Sequence, residues 1–130
     1  MCIFCEISKG KIPSYKVYED DLVIAFLDLS QVTLGHTLVL PKEHYETLLD
    51  CPKPVQDRMI EVASMIAKKQ LTNLHAKGYN ILNNGYAIAG QSVMHAHLHV
   101  IPRYDENDKL KIEFTPTDKP DYEKILAQLK

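Results

Sequence analysis

From Met94 to Pro102 the chain reads Met-His-Ala-His-Leu-His-Val-Ile-Pro, with three histidines at strict alternate positions in an otherwise apolar run. Side chains of an extended strand alternate between faces, so His95, His97 and His99 share one face while Met94, Ala96, Leu98 and Val100 take the other. The apolar face must be buried, and the other then holds imidazoles about 7 Å apart, at a rise of roughly 3.3 Å per residue. One histidine on a strand is ordinarily a solvated polar residue. Three in register, preceded by Gly90-Gln91-Ser92, make a site. The spacing leaves two chemistries open: a metal held by several imidazoles, or an imidazole nucleophile flanked by helpers.

The rest of the chain supplies neighbours for that strand. Lys16 to Glu19 and Leu22 to Leu27 flank the polar pair Asp20-Asp21, the pattern of a hairpin with a tight turn. His36 to Leu40 is a third strand that ends at Pro41, which has no N–H for the ladder. Pro54 suits a first helical turn, and Val55, Met59, Val62 and Ile66 recur at intervals of three and four, continuing through Leu71 and Leu74 to a stop at Gly78. Tyr79 to Leu82 and Met94 to Pro102 complete the strands, joined through the Asn83-Asn84-Gly85 turn. Asp121 to Leu129 is a short amphipathic helix with Tyr122, Ile125, Leu126 and Leu129 on one face. The expectation is α+β: an antiparallel sheet of about five strands, one long helix and a short C-terminal helix, in a single domain over residues 1–130.

With 45% hydrophobic and 25% charged residues and a formal charge of -2, the chain has the balance of a globular protein and no basic field for nucleic acid. No apolar run approaches the length of a membrane span, and no basic stretch followed by an apolar one opens the chain, so a cytoplasmic protein without a membrane partner is expected. Three cysteines, an odd number, fit a reducing compartment better than a disulfide framework. Cys2 and Cys5 form a C-x-x-C pair that needs further ligands before it means metal, whereas Cys51 lies in a loop-like stretch beside Pro52.

The run Gln91-Ser-Val-Met-His-Ala-His-Leu-His-Val-Ile101 resembles the motif of the histidine triad (HIT) family, His-φ-His-φ-His-φ-φ with φ apolar, at every position. Upstream, His36 to His44 (His-Thr-Leu-Val-Leu-Pro-Lys-Glu-His) is similar to a second landmark of that family. Ile3-Phe4-Cys5-Glu6-Ile7 with Ile12-Pro13 is similar to its N-terminal element. The resemblance covers roughly residues 2 to 104 and implies the HIT-like fold and a homodimer with joined sheets and packed long helices.

It also implies roles. His97 would be the nucleophile on the α-phosphorus of a nucleotide, forming a nucleotidyl-histidine that water hydrolyses. His99 would bond the phosphate and leaving group, and His36 would buttress the triad. Ser92 and Gln91 would contact phosphate oxygens or the leaving atom, as would Asn83 or Asn84. Asp28 would accept both ribose hydroxyls, which suits two acceptor oxygens. Ile3, Phe4 and Ile7 would line the slot for a purine, with loose selection of the base. Cys2, Cys5, His44 and His95 would hold a structural zinc, a closed Cys₂His₂ set. No organic cofactor is implied.

The implied activity is that of the bacterial Hint-like, zinc-containing branch: hydrolysis of purine nucleotide conjugates, AMP-amine phosphoramidates, at the P–N bond. The alternatives are a Fhit-like dinucleoside polyphosphate hydrolase and a nucleotide-binding or interaction module without significant catalysis. His99 stands where uridylyltransferase relatives have Gln, which argues against transfer to a sugar phosphate. A metalloenzyme using His95, His97 and His99 as ligands with an open position lacks an accompanying H-E-x-x-H helix.

Overall fold

The computed structural model describes residues 1–130. Five strands form one antiparallel sheet in the order β1-β2-β3-β5-β4: β1 Lys16–Glu19, β2 Val23–Leu27, β3 Thr37–Pro41, β4 Gly78–Asn83 and β5 Leu98–Arg103. Three helices accompany it: α1 Ile3–Ser8, α2 Lys53–Asn73 and α3 Tyr122–Leu129. The expected antiparallel five-stranded α+β architecture is therefore the observed one. No helix is long and apolar enough to cross a membrane.

Strand alternation sorts the sheet into two faces with different duties. Val23 and Ala25 of β2, Val39 of β3, and Leu98 and Val100 of β5 meet Val55, Met59, Val62, Ala63, Ile66 and Ala67 of α2 in the larger buried cluster. These α2 positions recur at three and four because that spacing puts them on one helical stripe. Ile24, Phe26, Leu38 and Leu40 point the other way and pack with Phe4 of α1. His99 pairs directly with Leu38 across the β3–β5 ladder, so it shares the α1-facing side, where the chemistry lies.

The turn between β1 and β2 is closed by Asp20, whose Oδ1 accepts from the N–H groups of Leu22 and Val23 at 2.8 and 3.0 Å. Arg58 on α2 donates from Nε to Asp20 Oδ2 at 2.6 Å and contacts Tyr18 Oη, tying helix to hairpin. Gly35 enters β3 at φ 109°, a backbone conformation that requires glycine.

Two expectations of local structure are corrected. The long helix ends at Asn73 rather than running to Gly78: His75 takes φ 60° and turns the chain, Leu71 and Leu74 are exposed, and Gly78 opens β4. The second correction concerns the triad itself. β5 begins at Leu98, and residues 93–97 form a bend in which His95 N–H donates to Val93 O at 2.9 Å and Ala96 N–H to Tyr45 O at 2.7 Å. The backbone bonds that would have extended the strand are spent there, Met94 is left exposed, and only His99 of the three lies in the sheet. The C-terminal helix forms where expected, with Asp121 as N-cap accepting from Lys124 N–H at 3.2 Å; its apolar residues stay exposed.

Candidate active site and metal centre

On the α1 side, a cavity of about 720 Å³ opens between α1, the end of β2 and the bend before β5. Ile3, Phe4 and Ile7 wall it, as the sequence predicts, and Asp28, Ser92, His97 and His99 also line it. Ile12 and Pro13 of the N-terminal element belong to the same wall, as do Tyr15, Leu27, Leu29 and Val93, which the sequence did not single out as site residues. Their only signal there is apolar character, which core residues share. Asp28 is the single charged side chain on this wall, which contains no lysine or arginine.

The imidazoles of His36 and His97 are buried and that of His99 half-buried, and their hydrogen bonds assign their protons. His97 Nδ1 lies 2.7 Å from the His95 carbonyl in the same bend, so Nδ1–H donates and Nε2 keeps its lone pair. The ring is 5% exposed and edge-on to Phe4, centroids 5.2 Å apart at 87°. Burial pulls its pKa down, opposed by that hydrogen bond and by the Asp28 charge, and the net shift is below the ordinary value. His99 is pushed down to about 4 by burial and by His97 and His36, so at neutral pH it is uncharged. His36 Nδ1 accepts from Val32 N–H at 3.4 Å, which leaves Nε2–H to donate to His99 Nδ1 at 2.9 Å; His99 in turn carries its proton on Nε2. Burial likewise holds His36 below its ordinary pKa. A chain of neutral imidazoles thus runs from His36 through His99 beside His97, whose ring centroid is 5.0 Å from that of His99.

Asp28 does two things. Its Oδ1 accepts from Ser30 N–H at 2.8 Å, closing a turn, and its Oδ2 lies 3.6 Å from His36 Nε2. The residues expected beside the phosphate are placed less simply. Ser92 is on the wall and exposed. Gln91 is not on it: the buried carboxamide accepts from Tyr86 N–H at 2.7 Å and donates to Glu46 O at 2.7 Å and Val93 O at 3.1 Å, so its polar atoms are already engaged. Asn83 Nδ2 donates to His97 O at 3.1 Å, and Asn84 Nδ2 to Gly90 O at 3.5 Å; neither lines the cavity. Gln91 and Asn83 are placed to hold the triad bend, a role that residue type and spacing do not reveal.

The second expected constellation converges as a group. The Sγ atoms of Cys2 and Cys5 and a ring nitrogen from each of His44 and His95 all lie within 4.8 Å of one another. His95 is fully buried and bonds Pro41 O through Nε2 at 2.8 Å, which aims the Nδ1 lone pair at Cys2 Sγ, 3.4 Å, and Cys5 Sγ, 3.5 Å. His44 Nδ1 is 3.3 Å from Cys5 Sγ. A tetrahedron with metal–sulfur bonds of about 2.3 Å and metal–nitrogen bonds of about 2.0 Å has sulfur–nitrogen edges of roughly 3.5 Å, so the donors already stand near ligand separation. Cys51 is remote from this group and buried, its thiol pushed up to about 11 by burial.

Comparison with known proteins places these features. Residues 9–106 match the model of the HIT domain. "Protein hit" of Bacillus subtilis is 49% identical over 107 residues, covering 82% of this chain and 74% of that protein. Adenosine 5'-monophosphoramidase HNT1 of Saccharomyces cerevisiae is 39% identical, covering 95% and 75%. The crystal structure of a zinc-bound histidine triad family protein from Mycobacterium smegmatis superposes with a TM-score of 0.79 at 39% identity, covering 98% and 94%. The matched region holds the imidazole chain, the cavity wall from Ile12 onward and His44, while α1 and its two cysteines precede it. With the triad motif, its buried geometry and these likenesses in agreement, the chain belongs to the HIT domain family.

Proposed function

We propose that this chain is a nucleotide hydrolase acting at the α-phosphate of purine nucleotide conjugates, with AMP-amine phosphoramidates as its substrate class. The observation that carries the reading is His97: Nδ1 is committed to a backbone carbonyl, and the remaining nitrogen belongs to a neutral ring on the cavity wall. It needs no external base. Nε2 attacks the α-phosphorus and forms a P–N bond to histidine as the substrate's P–N bond breaks, and the departing amine takes a proton from solvent while His99 Nε2–H, held in that orientation by the bond from His36, donates a hydrogen bond at the leaving group. Water then adds to phosphorus and breaks the histidyl bond. Of its two protons, one stays with the released AMP and the other returns to solvent, restoring the neutral site.

Ile3, Phe4 and Ile7 make an apolar slot suited to a purine, Asp28 has an oxygen for ribose hydroxyls, and Ser92 offers a hydroxyl to the phosphate. The wall charge favours phosphoramidates over dinucleoside polyphosphates. A polyphosphate brings several negative charges to a wall whose charged residue is an aspartate, whereas an AMP-amide brings one. The monophosphoramidase name of the yeast relative points the same way.

Cys2, Cys5, His44 and His95 would hold zinc, and the donor set, the edge lengths and the oriented His95 fit it. Bound there, zinc is a structural cross-link between α1, the segment after β3 and the triad bend. Those residues then position Phe4 against His97. We further propose a homodimer, supported by the unpaired outer edge of β4 and by the exposed Ile60, Met65 and Leu71 on α2, in a cytoplasmic setting. Mass spectrometry of the protein during turnover of an adenosine phosphoramidate tests the mechanism. AMP trapped on His97, with diadenosine polyphosphate turned over more slowly, is the expected result; hydrolysis of neither substrate refutes it.

A further inference from the structure

The cavity contains a second convergent donor set that the hydrolytic reading uses for other purposes. Asp28, His36 and His99 have ligand atoms that all lie within 4.8 Å of one another. His36 Nε2 stands 2.9 Å from His99 Nδ1 and 3.6 Å from Asp28 Oδ2. Donors bound at about 2.1 Å are about 3.0 Å apart in octahedral and about 3.4 Å apart in tetrahedral coordination, so the two observed distances lie within about 0.2 Å of ligand separations. The three residues come from separate segments, the end of β2, the entry to β3 and the middle of β5, so the sheet itself holds them in place. Two imidazoles and one carboxylate, without sulfur, suit a divalent ion of borderline softness such as Co²⁺, Ni²⁺ or Zn²⁺.

We propose that Asp28, His36 and His99 form a second divalent transition-metal site inside the cavity, at which the ion and a nucleotide exclude one another. The site is open on one side: Asp28 and His99 face the cavity, where water would complete the coordination, and His36 closes the back, 4% exposed. Nothing on the wall repels a cation, because it carries no lysine or arginine and Asp28 is its one charge. His99 Nδ1 already presents a lone pair. His36 must move its proton from Nε2 to Nδ1, giving up its hydrogen bond to His99 Nδ1 and the long bond from Val32 N–H, in exchange for the two metal–nitrogen bonds. An ion so placed occupies the aspartate assigned to ribose; this exclusion rests on the proposed nucleotide site. The donor set is distinct from the thiolate-containing group around His95, which shares none of its residues.

Cobalt(II) titration of metal-free protein followed by absorption tests this, since thiolate ligation gives intense near-ultraviolet charge-transfer bands and imidazole–carboxylate ligation gives only weak visible bands. We expect two ions per chain, one with and one without the thiolate signature. The second should be displaced by AMP, lost in Asp28→Asn and retained in the Cys2→Ser, Cys5→Ser double variant. AMP displacement in the wild type needs no substitution, so a misfolded variant leaves the test intact. A single ion per chain, or a second ion that persists in Asp28→Asn with the fold verified by circular dichroism, overturns the site. A second ion lost in Asp28→Asn but indifferent to saturating AMP overturns the exclusion. If the phosphoramidase reading alone fails, the cobalt stoichiometry is unaffected and turnover is absent with or without metal.

Discussion

Replacing Phe4 by alanine probes how a short N-terminal helix supports the catalytic bend. Phe4 is 8% exposed and meets Phe26 edge-on at 5.7 Å, His95 at 5.9 Å and His97 at 5.2 Å. Removing a buried phenyl ring costs about 3–5 kcal/mol in a closed core. Here one side of the ring borders the open cavity, which water can refill, so the lower limit of about 3 kcal/mol applies, including roughly 0.5–1 kcal/mol for the lost edge-to-face pair with Phe26. For 130 residues the unfolding entropy is about 0.27 kcal/mol per degree, which converts this to a fall in Tm of roughly 11 °C. The assay is thermal and urea unfolding of zinc-loaded protein at one fixed concentration, with AMP affinity measured by calorimetry on the folded variant. Phe4→Leu keeps most of the volume and should recover at least half of the loss. A Tm change below about 4 °C for Phe4→Ala would show that α1 is held by its cysteines alone and that the ring supports neither sheet nor triad.

His97→Ala should lower turnover of an adenosine phosphoramidate by at least ~10³-fold while AMP still binds, because the covalent route is lost and the apolar slot is not; substantial residual turnover contradicts the nucleophile assignment. The Cys2→Ser, Cys5→Ser double variant should lose its zinc and melt at lower temperature without losing catalysis outright. Stoichiometric zinc in that variant, measured by atomic absorption, removes the Cys₂His₂ site. Burial raises the Asp20 carboxyl's pKa, but bonds from Val23, Arg58, Leu22 and Tyr18 outweigh it and hold the group well below the carboxylate range. A depressed folded pKa contributes stability that is complete above the ordinary value near 4 and declines as pH falls through the folded one. Asp20→Asn should therefore cost about 1–2 kcal/mol at pH 7 and less at pH 3; an equal loss at both assigns the effect to shape rather than charge. Gln91→Ala should destabilise the 86–93 loop and lower kcat with little change in KM, whereas a rise in KM alone would return Gln91 to phosphate contact.

Some of this protein was legible in its residues because the signal is local. The α2 stripe at Val55, Met59, Val62 and Ile66, the Asp20 turn and the apolar runs of β2 and β3 each follow from side chains along one element, and each formed as expected. The triad motif identified the family for the same reason, since type and spacing alone carry it. The set Cys2, Cys5, His44 and His95 was legible only through resemblance: its members are up to 93 residues apart, and no periodicity connects them.

Tertiary structure decided what the motif's residues do. An alternating run predicts three imidazoles on one strand face, yet backbone bonds from Ala96 to Tyr45 and from His95 to Val93 bend the chain before Leu98. That bend turns the His95 lone pair to the cysteines and fixes the His97 tautomer through the His95 carbonyl. Gln91 and Asn83, polar and adjacent to the motif, are drawn into holding that loop because buried amides must find partners wherever the fold supplies them. The sequence by itself determined the elements, the buried faces and the inventory of reactive groups, since those depend on neighbours a few residues away. Which nitrogen of each histidine is free, and toward what it points, depended on carbonyls and rings brought in from distant segments, and only the folded chain contains those.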